Sequence, residues 1–475
     1  MHFWLRHKGL RYTIQRLFSQ NNIILQREGF GSFHSDDIER LVRLPEHEYR
    51  TPKCLVERLE TLSLQDKSAC SFGAEFKREF FHVDPSWVFL NHGAFGGVLK
   101  PVLREANYWR ERCEQQPLRF FDRDLLPMIA HSVRVMAKYL SCPAEELLPL
   151  PNVTSGLNAV MQSLPLQPHD EIIYFSLTYG STKKILADLS SRTGAALRLV
   201  DISLPIHSIE EDIILPLYRA LNDKSKVIII DQITSNSALE LPVMQIASIC
   251  KAKGMLVIVD AAHALFTIPS SLPLPAIDRE ANIDVWLTNG HKWLCAAKGC
   301  AFMWVNPITM RDSLRPAIIS HGHSTNDNPR RLLSAFAWDG CRDYAAMIAV
   351  PTAIDFWEQI REPQEYMRGL ISDGDKLLRD AWDIHPDDIP CPAEMVHKLP
   401  MRLVPLPARL KGIDTKRGNS DKEAFFLQEW LHHEHQIEVP VKHFSGRLFI
   451  RLSAHVYNSL EDFRVLAKAI SVAKS

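Results

Sequence analysis

The sequence predicts an α/β protein: a mostly parallel sheet in a large domain, followed by a smaller α+β C-terminal domain. From about residue 140, short apolar runs alternate with longer stretches of helical period, the pattern of a sheet covered on both faces. One complete strand-helix-strand unit is visible from Val227 to Asp260. After about residue 345 the order changes to long helices and then short strands, which suits a second, smaller unit.

Taken in chain order, residues 1–80 form a leader and preface. The first 27 residues contain Arg6, Lys8, Arg11, Arg16 and Arg27, no acid before Glu28, and the apolar residues Phe3, Leu10, Ile14, Leu17 and Phe18. That composition suits a mitochondrial transit segment; a basic surface helix or a disordered extension has the same look. The rest of the preface reads as helix and loop, with charged stretches at Asp36–Arg43 and Glu57–Asp66, and no chemistry is assigned to it. Residues 81–345 form the large domain. Its strands are expected at Glu171–Phe175, Leu197–Ile202, Val227–Asp231, Leu256–Asp260, Ile283–Thr288 and Cys300–Val305. Val243, Ile246, Ala247, Ile249 and Cys250 mark one face of a helix that Gly254 ends. Ser320–Arg331 is a long polar loop, suited to a mobile flap. Residues 346–475 form the small domain, entered through a helix from Tyr344 to Gln359. A second helix (Tyr366–Trp382), strands near Met401–Pro405 and Leu448–Leu452, and a last helix (Leu460–Ala473) complete it.

Composition excludes several classes. With 55 Lys plus Arg against 56 Asp plus Glu, the formal charge is -1 over 475 residues, so there is no electrostatic reason to expect nucleic acid as a partner. No segment approaches the roughly 20 unbroken apolar residues that cross a bilayer, so no membrane association is expected. Nine cysteines without a CxxC pair suit a reducing compartment, cytoplasm or mitochondrial matrix, better than a disulfide frame or zinc site. His432, His433 and His435 have no second ligand cluster near them and read as a solvated helix end, so no metal site is expected.

The chemistry gathers at strand ends, where ligands of parallel sheets bind. Asp260 and His263 follow one buried strand, separated by two alanines. Lys292 follows the next, between His291 and Trp293, where burial should lower its pKa and free its amine. Ser235 follows the strand ending at Asp231. An Asp, a His and such a Lys are what pyridoxal phosphate requires: a carboxylate for the ring nitrogen, a group near the phenolic oxygen and an amine for a Schiff base. A phosphate also needs a cradle, and Thr154, Ser155 and Gly156 open a helix whose N–H groups suit one.

Five strings, Phe89-Leu-Asn-His-Gly-Ala-Phe-Gly96, Tyr179-Gly-Ser-Thr-Lys-Lys184, Asp260-Ala-Ala-His263, Asn289-Gly-His-Lys-Trp-Leu294 and Arg451-Leu-Ser-Ala-His-Val-Tyr-Asn458, resemble the class V aminotransferases. These are fold type I pyridoxal-phosphate enzymes. Within them the likeness is to the branch of isopenicillin N epimerase-like proteins and plant L-cysteine desulfhydrase, over roughly residues 75 to 470. The resemblance implies that Lys292 carries the cofactor, Asp260 pairs with the pyridinium nitrogen and His263 faces the phenolic oxygen. It further implies that Tyr179 stacks on the ring and Ser235 lies beside it, with Thr154, Ser155, Asn289 and His291 on the phosphate side. Arg451 would clamp the substrate carboxylate, with Asn91 and His92 nearby, and a homodimer is implied. Where the family often has Gly-Thr before an Asp, with the Thr reaching a neighbouring subunit's phosphate, this chain has Gly340-Cys-Arg-Asp343. Either that contact is weaker here or Arg342 supplies it, since a cysteine is a poor donor.

The implied activity is that of a pyridoxal-phosphate enzyme on an amino acid, with elimination, epimerisation and transamination open to the same machinery. Persulfide-forming desulfurases need a cysteine on a mobile loop, and Ser320–Arg331 has none, although Cys341 lies close by. The string at Tyr179 leans toward the desulfhydrase-like relatives. A carbon-sulfur β-lyase is therefore expected, with an epimerase or aminotransferase as the alternative and a noncatalytic fold relative behind both.

Overall fold

The computed structural model describes residues 36–61, 70–268, 283–323, 331–385, 388–407, 409–410, 413–414 and 421–472. The leader read over residues 1–27 lies outside these, as do residues 324–330 of the polar loop.

Seven strands form the main sheet: β1 (Leu147–Leu150), β2 (Glu171–Phe175), β3 (Ala196–Val200), β4 (Ser225–Asp231), β5 (Leu256–Asp260), β6 (Val285–Asn289) and β7 (Ala301–Val305). Their order is β1-β7-β6-β5-β4-β2-β3. Pairings from β3 to β6 are parallel, and β7 alone runs against its neighbours. The central strands are continuous aliphatic runs because both faces are covered. Ile228, Ile229, Ile230, Val257, Ile258 and Val259 are all fully buried, each stabilising the fold by about 1.5–3 kcal/mol before entropy is counted.

Helices α1 (Leu125–Leu140), α2 (Val153–Ser163), α3 (Gly180–Thr193) and α4 (Val243–Lys251) pack on this sheet. Helix α4 buries Val243, Ile246, Ala247 and Cys250, and Gly254 follows it with φ 70°, a left-handed turn that glycine adopts without strain. Strand β1 is absent from the sequence reading. Its Leu-Leu-Pro-Leu string carries a proline that cannot donate to a ladder, which a sheet edge tolerates. The helix expected from Tyr344 to Gln359 is in fact two pieces, Ala345–Ile348 and α5 (Val350–Glu358). Pro351 lacks an N–H and sits in the first turn of the second piece.

In the C-terminal part, β8 (Met401–Pro405), β9 (Val441–Phe444) and β10 (Arg447–Ser453) form an antiparallel sheet in the order β9-β10-β8. Helices α6 (Pro363–Trp382), α7 (Asp421–His435) and α8 (Leu460–Val472) flank it. Leu370, Ile371, Val404, Ile450 and Phe463 belong to a core distinct from that of the main sheet. Leu90 belongs to it too, because Val88–Phe89 pairs parallel with Ile437–Glu438. This pairing, continued by an Asn91–Ser453 bridge, carries Asn91 to the strand that bears Arg451. Among the described residues no helix is long and apolar enough to cross a membrane, and all nine cysteines are free thiols.

Candidate active site

Strands β4, β5 and β6 are neighbours, so the groups at their carboxyl ends share one edge of the sheet. Lys292 lies in the turn after β6, with Nζ 3.0 Å from His263 Nε2. The proton between them can be assigned from the other side of the ring. Trp293 Nε1–H donates to His263 Nδ1 at 3.3 Å, and an indole nitrogen only donates. Burial holds His263 well below its ordinary pKa, so the imidazole is neutral and, with Nδ1 accepting from Trp293, its one proton is on Nε2. That proton points at Nζ, which must accept it as a free amine. Burial works in the same direction, lowering Lys292 to about 8 against the opposing pull of Asp260, so this arrangement is the one present above about pH 8.

Asp260 ends β5, is 5% exposed and accepts the backbone N–H of Ala262 at 3.0 Å. Burial pushes its carboxyl upward, which a cationic partner at its free oxygen would reverse. Tyr179 precedes α3, is 42% exposed, and donates its backbone N–H to Asp231 Oδ1 at 3.1 Å.

The start of α2 is held by two asparagine side chains. Asn152 Oδ1 accepts Ser155 N–H at 2.9 Å, and Asn289 Oδ1, from the end of β6, accepts Val153 N–H at 3.2 Å. Thr154 is exposed and Ser155 half-buried at this end. Gly156 lets the helix lie so close: a Cβ there would be 2.5 Å from both Leu150 and Leu287, an overlap that typically costs about 1–3 kcal/mol or displaces the helix. His291 shares hydrogen-bond distance, 3.1 Å from Nδ1, with the Cys300 carbonyl, and burial lowers it to about 4.

Arg451, on β10, is 3% exposed. One terminal nitrogen donates to the Ser235 carbonyl at 2.8 Å and the other to Asn91 Oδ1, while Nε is buried without a partner. Ser235 thus contributes its backbone oxygen here. Asn91 is held in turn by Glu438 Oε1, 3.0 Å from Nδ2. His92 goes elsewhere: it is fully buried, 2.7 Å from the Tyr457 hydroxyl at Nδ1 and 3.2 Å from the Lys292 carbonyl at Nε2. His455 Nε2 makes the matching contact, 3.2 Å, to the Trp293 carbonyl. With Cys295 these histidines form the one described group of close metal-type donors. Both Nε2 atoms face backbone carbonyls, however, which requires protons on them rather than lone pairs. The cluster holds the lysine turn from beneath.

Sequence reasoning did not assign Asp231, Trp293 or His455. Asp231 has the same signal as Asp260, an acid at the end of a buried strand. At the Gly340–Asp343 loop, Arg342 bonds Asp339 at 2.6 Å and lies 4.0 Å over the Tyr344 ring, and Cys341 is exposed. His432 and His433 face separate acids, Glu438 and Glu429, in the last turn of α7.

The donor set fits pyridoxal phosphate. An amine, a buried carboxylate, a helix N-terminus and an arginine with a buried Nε that makes no hydrogen bond lie at the same edge, the types of group that an anionic, ring-bearing cofactor needs. Comparison with known proteins agrees. Residues 132–360 match the Aminotransferase class-V family. The chain is 26% identical to a probable chloroplastic L-cysteine desulfhydrase of Arabidopsis thaliana, covering 84% of this chain and 85% of that one. It is 26% identical to the isopenicillin N epimerase of Amycolatopsis lactamdurans, covering 83% and 96%. The cystine C-S lyase C-DES, solved with cysteine persulfide, shares the fold with a TM-score of 0.66 at 15% identity, covering 82% of this chain and 98% of that one.

Proposed function

We propose, for a chain whose residues 132–360 match the Aminotransferase class-V family model, a pyridoxal-phosphate-dependent carbon-sulfur β-lyase. Its substrate is cysteine or a cysteine-derived thioether or sulfoxide. With cysteine the balance is L-cysteine and water to sulfide, pyruvate and ammonia. The observation that carries the reading is Lys292 Nζ, 3.0 Å from His263 Nε2, at the strand edge that also holds Asp260.

Lys292 would hold the cofactor, with Asp260 at its ring nitrogen, Tyr179 against its face and the start of α2 at its phosphate. Pyridoxal phosphate, when bound, supplies the electron sink that makes a Cα proton removable. Arg451 binds and orients the substrate carboxylate through its planar fork. Asp260 keeps a proton on the ring nitrogen. Once released from the cofactor, Lys292 Nζ receives the Cα proton, and its lowered pKa suits a base working near neutral pH. His263, neutral with its proton on Nε2, holds Nζ in place.

Incubation with L-cysteine should yield sulfide and pyruvate in equal amounts without an added keto acid. Accumulation of a D-amino acid, or turnover only when a keto acid is supplied, would replace the lyase with the epimerase or aminotransferase.

The amine also sets a pH dependence. Below about 8 Nζ is protonated and cannot attack; above it the lone pair is free. Cofactor attachment to the unloaded protein, followed by absorbance, is expected to accelerate up to about pH 8 and then level. A rate still climbing near about pH 10, where an exposed lysine titrates, would contradict the assigned environment.

A further inference from the structure

One buried carboxyl has no part in the steps above. Asp231 ends β4 in register with Asp260 on β5. Residues paired in this way project from the same face, about 4.8 Å apart along the sheet, so the two carboxyl groups lie side by side. Both are buried, 3% and 5% exposed. Asp231 Oδ1 accepts the Tyr179 backbone N–H, while its Oδ2 is buried with no partner. The other groups facing the pair are the Thr178 hydroxyl, Lys183 from α3 and Lys292.

Two ionised carboxylates at this separation, away from water, repel strongly, and one of them takes up a proton. Oδ2 of Asp231 makes no hydrogen bond of good geometry, and the Thr178 hydroxyl beside the carboxyl, which favours the ionised form, is outweighed by burial and Asp260, so the proton belongs there. Protonated, it becomes a donor, and the acceptor beside it is Asp260. Burial and the charge of Asp260 push Asp231 well above the ordinary carboxylate range, in the same direction.

We propose that Asp231 and Asp260 hold one proton between them: Asp231 is a neutral acid whose Oδ2–H faces Asp260, so that a single negative charge meets the ring nitrogen. Through Oδ1 the same side chain fixes the backbone of Tyr179. Asp231 is thus a positioning residue, acting through Asp260 and Tyr179. The inference rests on the reading of this edge as a pyridoxal-phosphate site.

Infrared spectra of the protein, with and without added pyridoxal phosphate, test it. The carbonyl stretch of a protonated carboxylic acid is expected to persist to at least about pH 7, far above the ordinary aspartate value of about 4, and to be missing from D231N. Asparagine is neutral, keeps an acceptor for Tyr179 N–H and offers Nδ2–H to Asp260. The absorbance of cofactor bound to D231N should therefore titrate with the wild-type midpoint, whereas D260N should move it by more than about one pH unit. A wild type without the infrared band at neutral pH, or a D231N midpoint displaced as far as that of D260N, would overturn the shared proton. The wild-type spectrum decides even where D231N fails to fold. If the wild type takes up no cofactor, the reading of the site falls, and the infrared band of the unloaded protein still decides the carboxyl pair.

Discussion

Lys292→Ala is expected to lower turnover of L-cysteine by about 10³-fold or more, the upper part of the range for losing a positioned base, with the fold retained. In the proposed reaction Nζ serves both as the point of attachment and as the base. His263 cannot take over, because Nδ1 is occupied by the Trp293 indole and Nε2 already has the proton. The structural cost is small. Truncation leaves His263 Nε2–H without its acceptor, about 1–3 kcal/mol, and removes an amine that burial disfavours when charged. Single-turnover assays beside a thermal melt separate the two effects. Turnover above about a tenth of wild type in a folded variant would mean that another group removes the Cα proton.

Arg451→Ala should have the second largest effect, read mainly in KM. The guanidinium is enclosed, and its terminal nitrogens are already anchored by Ser235 O and Asn91. What it offers a carboxylate is a rigid fork, with Nε and the remaining hydrogens available. Loss of two charge-assisted hydrogen bonds, at about 1.5–3 kcal/mol each, corresponds to a fall in kcat/KM of about 10²-fold or more. Arg451→Lys keeps the charge without the fork and should recover only a small part. If kcat fell while KM stayed unchanged in both variants, Arg451 would not be the carboxylate clamp.

Much of this was legible in the sequence because the strands that carry the site are the most buried ones. Leu256–Asp260 holds the β-branched run Val257–Val259, and its strand bounds and the acid at its end could be read directly. The alternation of strands with helices then placed Lys292 at the same sheet edge. Other features depend on geometry that a sequence does not contain. Asn91 and His92 are consecutive, yet the helical turn that starts between them sends one to Arg451 and the other beneath Lys292. Asp231 obeys the same strand-end rule as Asp260, but its meaning comes from the register between β4 and β5. Likewise the proton position on His263 follows from Trp293, thirty residues away in sequence and in contact only after folding.

The most direct test of the account is to identify the amine that holds the cofactor. Loading the protein with pyridoxal phosphate, reducing with borohydride and mapping the modified peptide by mass spectrometry should find the pyridoxyl group on Lys292 alone. Modification of another lysine, or none in a protein that still releases sulfide from cysteine, would contradict the site described here.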